Sequence, residues 1–137
     1  MKGEKLQVYF TQSLQTLFNI WTDTIQEGSV SNIHDLRVQL KRMKAIYSFL
    51  QWVYGKSSLG KIPYLSRDIF QQTGEWRELQ ILQLWLQKEK IPLESLLHCS
   101  DEDIFQTGKT VKKSLENGYS LFTKQIKKAE QIGRAHV

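Results

Sequence analysis

Cysteine occurs once in the 137 residues, as Cys99, and proline only twice. A lone cysteine excludes an internal disulfide and fits a reducing compartment. The chain also lacks the Pro/Gly-rich, aromatic-poor profile of disordered or fibrous proteins. No uninterrupted apolar run exceeds three residues, Val8-Tyr9-Phe10 being one, so no stretch reads as a membrane-spanning helix. Met1-Lys2-Gly3-Glu4-Lys5 leads straight into amphipathic sequence, without the apolar stretch of a secretory signal. Period-two alternation and Asn-Gly hairpin signals are missing, which argues against a sheet. So are a Gly-rich phosphate loop, G-x-S-x-G, H-E-x-x-H and C-x-x-C. No candidate catalytic or metal site remains, and none of these signals calls for a cofactor. The expectation is one cytoplasmic, non-enzymatic domain.

Acidic residues are scarce in one segment. Residues 31–61 carry Arg37, Lys41, Arg42, Lys44, Lys56 and Lys61 against a single acid, Asp35. Elsewhere acids and bases occur in equal number, so the net charge of +5 is concentrated here. Such focusing attracts anionic partners and speeds their encounter. A solvated helix face with a positive C-terminal half is the plainer reading of the same charges.

What is abundant is helical periodicity. Leu6, Phe10, Leu14, Leu17, Trp21 and Ile25 recur at steps of three and four, which predicts a helix over residues 4–27. Ser31 and Asn32 offer N-caps for a second helix running to about Tyr54, where Gly55 and Gly60 break it. Pro63 suits the first turn of a third helix over roughly 63–73. Gly74 marks a kink or short break, after which Glu75–Glu89 continues with Trp76, Leu79, Leu82 and Leu86 inward and Ile81 and Trp85 widening that face. Ile91-Pro92 predicts a turn, Leu93–Leu97 a short helical piece, and Ser100-Asp101-Glu102-Asp103 a strong helix start. The last helix runs towards Gln131, tolerating Gly108 and Gly118 at a cost. The fold class is all-α, an antiparallel bundle of about four main helices.

On a helical wheel at about 100° per residue, with His34 at zero, Arg37 falls at about 300°, Lys41 at about 340° and Lys44 at about 280°. The four side chains share an arc of roughly 80°. Leu36, Leu40, Met43, Ile46, Tyr47 and Leu50 lie opposite and form the predicted core face. Arg42 stands on the flank beside Phe49 and Val53. Like charges at this spacing repel by a few tenths of a kcal/mol each, and an anion laid across the strip relieves them. Arginine forks grip phosphate oxygens bidentately, while lysines act as mobile point charges. Exposed pairs are individually worth about 0–1 kcal/mol, so a ligand with many linked phosphates is favoured over a single one.

The stretch His34-Asp35-Leu36-Arg37-Val38-Gln39-Leu40-Lys41-Arg42-Met43-Lys44 resembles the first motif of the CHAD family, the conserved histidine α-helical domains. Gly74-Glu75-Trp76-Arg77-Glu78-Leu79 resembles that family's G-x-x-R-D block, with glutamate in place of aspartate at Glu78. The resemblance spans about residues 1–130. It implies a helical bundle that binds inorganic polyphosphate through His34, Arg37, Lys41, Lys44 and Arg77; the wheel selects the first four independently, and Arg77 rests on the resemblance alone. The E-x-E-x-K signature of the triphosphate-hydrolysing domains often linked to the family is absent. CHAD domains comprise two such bundles around a basic groove, and this chain corresponds to the first, a second bundle being the implied partner. Ile132–Val137 reads as the translation of a sequencing adapter and is set apart from the bundle, residues 1–131.

Other constellations have plainer readings. His98-Cys99 has no metal-ligand partners at the needed spacing. Trp21, Trp52, Trp76 and Trp85 fall on or beside apolar faces, which favours core packing over base stacking. Asp101, Glu102 and Asp103 fit helix-start chemistry. The functional expectation is therefore binding of inorganic polyphosphate or another polyanion. A nucleic-acid-binding helical module and a protein-interaction bundle are the alternatives.

Overall fold

The computed structural model describes residues 2–91 and 101–135, with side chains over 5–91 and 102–128. The described residues form four helices: α1 (Lys2–Gln26), α2 (Val30–Tyr54), α3 (Ile62–Lys88) and α4 (Asp101–Ala135). None of them is long and apolar enough to cross a membrane. The turn residue Pro92, the piece Leu93–Leu97, His98-Cys99, the Ser100 cap and residues 136–137 lie outside the described residues.

Each helix packs chiefly against two others, α1 on α2 and α4, and α3 on α2 and α4. Contacts between them run antiparallel throughout. Gln39 donates to the Ser13 carbonyl and Thr24 to that of Asn32 across α1–α2. Trp21 Nε1 donates to the Leu115 carbonyl at 3.0 Å, while Phe18 meets Phe122 edge-on. Tyr47 meets Ser66 at 2.8 Å, and His34 meets Arg77 further along the same α2–α3 pair. The result is an up-down-up-down four-helix bundle.

The stripes expected on α1 and α2 line the core, whereas of the α3 stripe Trp76 and Leu86 are buried and Leu79 and Leu82 only half-buried. Leu14, Leu17 and Trp21 of α1 and all six residues expected to line the inner face of α2 are buried. Trp21 and Phe122 have no accessible surface. With Phe18 and Tyr119 they make an aromatic cluster of mostly edge-to-face pairs, each worth about 0.5–1.5 kcal/mol beyond area burial. The two glycines of α4 face this core: a Cβ at Gly118 would lie 2.6 Å from Ile69 Cδ1, and one at Gly108 would lie 3.1 Å from the Trp76 ring. Their cost in helix propensity is the condition for close packing of α4.

Four local expectations are corrected. The N-cap of α2 is Ser29, not Ser31 or Asn32: Ser29 Oγ accepts from the Asn32 N–H and Asn32 Oδ1 accepts from the Ser29 N–H, both at 3.1 Å. Asparagine here supplies the return bond that a glutamate usually makes in a capping box. Helix α3 runs through Gly74 without a break. Trp52, near the end of α2, is 81 % exposed; on α3, Trp85 and Ile81 are about half exposed, because the turns facing its neighbours bury Ser66, Thr73 and Gln80 instead. Helix α4 continues past Gln131 to Ala135.

Burial sets the expected mutational contrast. Leu36→Ala, which empties a fully buried site, is expected to cost about 2–5 kcal/mol. Trp52→Ala is expected to stay within about 0.5 kcal/mol of the parent. Urea denaturation of both variants followed by circular dichroism checks this.

Candidate functional site

The basic strip of α2 lies along its seam with α3. Positions 34, 37, 41, 44, 48 and 51 advance by threes and fours on α2, and positions 63, 67, 70, 74 and 77 do the same on α3. At about 100° per residue each set stays within a narrow stripe. The helices are antiparallel, so the stripes meet in reverse order: His34 opposite Arg77, Arg37 opposite Gly74, and Lys41 opposite Phe70.

Arg37 is the side chain that crosses the seam. Its Nη1 donates to the Phe70 carbonyl and, at 3.1 Å, to Thr73 Oγ1. Its guanidinium carbon sits 3.8 Å from the centroid of the Phe70 ring, a cation–π contact worth about 0.5–2 kcal/mol. The guanidinium fits against Gly74, where a Cβ would come within 3.1 Å of Nη1. This explains a glycine inside an unbroken helix. Burial lowers the Arg37 pKa from its ordinary value; the Glu78 carboxylate opposes that shift and the Arg77 charge adds to it. Arg37 therefore leaves the ridge from which the wheel had it project and is half-buried. Both bonds leave from Nη1, so its Nε and Nη2 donors have no protein acceptor among the described residues.

One turn of α3 further on, Arg77 reaches back across the seam. Nη1 donates to the Val30 carbonyl at 3.3 Å, and Nη2 to His34 Nδ1 at 3.4 Å. A permanently charged donor on Nδ1 places the proton of a neutral imidazole on Nε2. The two sequence blocks thus meet crosswise, His34 with Arg77 and Arg37 with Gly74. Glu78, the glutamate standing where the resembled block has aspartate, is exposed, and its charge opposes the lowering of the Arg37 pKa.

Lys41 and Lys44 are exposed, with the Lys41 ammonium 5.7 Å from the Phe70 centroid. Both line a groove of about 500 Å³ between α2 and α3, and Arg67 joins them from the α3 wall. Its floor includes Leu40 and the buried Tyr47–Ser66 hydrogen bond. Burial raises the Tyr47 pKa far above the usual tyrosine range, with the Ser66 bond opposing the shift. All five expected site residues share the seam, and Arg37 and Arg77 donate to backbone carbonyls, the Thr73 hydroxyl and the His34 imidazole. Among the described residues no carboxylate forms an ion pair with His34, Arg37, Lys41, Lys44 or Arg77.

Arg67 escaped the sequence reading for an identifiable reason. Stepping back from Arg77 through positions 74 and 70 reaches 67, but a break at Gly74 uncouples the two halves of α3 and hides that phase relation. No group of three His, Cys, Asp or Glu side chains that could hold a metal ion occurs among the described residues. No protein-family model, curated protein or solved structure matches the chain.

The Arg37–Gly74 fit has a measurable signature. With Arg37→Ala, Gly74→Ala is expected to stabilise α3 by about 0.5–1 kcal/mol, the ordinary gain in a helix interior. With Arg37 present the gain is expected to shrink or reverse, because the new methyl crowds the guanidinium. A double-mutant cycle by urea denaturation measures the coupling.

Proposed function

We propose that this chain is a CHAD-type helical bundle that binds inorganic polyphosphate, without catalysis, along the α2–α3 seam. The observation that carries the reading is the row of five cationic or ionisable groups along one seam, with no carboxylate paired to any of them among the described residues. His34 and Lys44 are ten residues apart on α2, or about 15 Å at the helical rise. A threadlike anion matches such a row better than a compact one. Arg37 and Arg77 are held in place by backbone carbonyls, the Thr73 hydroxyl and the His34 imidazole, so less rotamer freedom is lost when phosphate oxygens arrive. Lys41 and Lys44 remain mobile and follow an irregular chain. The crosswise meeting of the H-x-x-R and G-x-x-R blocks supports the family resemblance, since it gives both motifs one shared purpose.

Lys41→Ala/Lys44→Ala is expected to weaken long-chain polyphosphate binding by about tenfold, the worth of two cooperating exposed contacts. Lys124→Ala/Lys127→Ala removes equal charge from exposed positions of α4 and is expected to change it less than about twofold. Filter retention at fixed ionic strength checks this, and equal losses from the two pairs reject the seam. Affinity is also expected to fall steadily with added salt, as released counterions require. Competition at equal phosphate equivalents with DNA and RNA separates polyphosphate from nucleic acid; a preference for either nucleic acid replaces the reading with that of a nucleic-acid-binding module.

A further inference from the structure

We infer that Arg67 is a further ligand contact, and that the bound polyanion descends from the α2 ridge into the groove between α2 and α3, where it is gripped from both walls. This rests on the polyanion reading of the same seam and adds to it where the ligand runs and which ligand lengths are favoured.

Arg67 belongs to the α3 stripe that also carries Phe70, Gly74 and Arg77. It lines the same groove as Lys41 and Lys44 but stands on the opposite wall. A ligand resting on α2 alone meets cations from one side only, and its far side stays in water. In the groove, the same phosphates face ammonium groups on one wall and a guanidinium fork on the other. Leu40 and Phe70 contribute apolar surface to that groove, which lowers the local dielectric and strengthens each charge–charge contact relative to an open ridge. The Tyr47 and Ser66 hydroxyls bond to each other in the groove floor, and the charged groups that line the groove are Lys41, Lys44 and Arg67.

The groove begins beside Lys41 and continues past Lys44 to Gln51. His34, Arg37 and Arg77 hold the opposite end of the row. A chain that spans both ends engages Arg67 together with the paired arginines, and each added contact is effectively intramolecular. A short oligophosphate settles at one end or the other and does not depend on Arg67. The second wall therefore makes the seam selective for length.

The test uses the full chain with long-chain sodium polyphosphate and, separately, sodium tripolyphosphate. Arg67→Ala is compared with Arg42→Ala, which removes the same charge from an exposed position on the flank of α2. Arg67 is itself exposed, and circular dichroism confirms that each variant is folded. Arg67→Ala is expected to weaken long-chain binding by about fivefold and Arg42→Ala by less than about twofold, with tripolyphosphate changed less than about twofold by either. Arg67→Lys is expected to recover part of the loss. Tight wild-type binding with equal effects from Arg67→Ala and Arg42→Ala overturns the Arg67 assignment and leaves the polyanion reading standing. An equal loss of long-chain and tripolyphosphate binding in Arg67→Ala overturns the length selectivity. Failure of the wild-type chain to bind long-chain polyphosphate overturns both readings.

Discussion

The Arg37 guanidinium, lodged between the Phe70 ring, the Thr73 hydroxyl and the Gly74 backbone, fixes how α2 and α3 lie against each other. Shape and charge act together in it. The glycine admits the planar group, the ring covers it, and the Phe70 carbonyl and Thr73 hydroxyl accept its protons. Once that register is set, His34 falls beside Arg77 and Lys41 beside Phe70. Slipping α3 by one residue turns its stripe by about 100° and takes Arg67 and Arg77 out of line with the cations of α2. The candidate site is thus a consequence of helix packing as much as of side-chain chemistry.

The seam keeps its charges with little internal compensation. Mutual repulsion on a helix face costs a few tenths of a kcal/mol per neighbouring pair, a small penalty beside the burial of the α2 inner face, where each large apolar side chain contributes about 1.5–3 kcal/mol. The core can therefore sustain an unpaired cationic row. Relief comes partly from geometry: Arg37 is drawn inward and Arg77 spends donors on the imidazole and the Val30 carbonyl. Lys41 and Lys44 stay exposed to water.

Much of this was legible in the sequence. The all-α class, the inner face of α2 and the grouping of His34, Arg37, Lys41 and Lys44 follow from a period near 3.6 residues, which is a local property. Arg77 came from motif resemblance and only then gained a partner. What escaped were the features that depend on two helices at once. Gly74 reads as a breaker when α3 is considered alone, because its neighbour's guanidinium is invisible there. Trp52 reads as core by composition, yet it is exposed together with Val53 and Tyr54 at the end of α2. The polar inner positions of α3, Ser66, Thr73 and Gln80, are buried because residues on α2 or the Gly28 carbonyl meet them. Local periodicity carries no signal of such cross-helix partners.

The interlock at Arg37 and Gly74 also bears on how sequences of this kind diverge. A bulky residue at 74 penalises a large planar cation at 37, and loss of that cation removes the demand for glycine. The two sites, 37 residues apart along the backbone, are expected to drift as a pair among descendants. Their joint inheritance would trace this architecture where overall resemblance has faded.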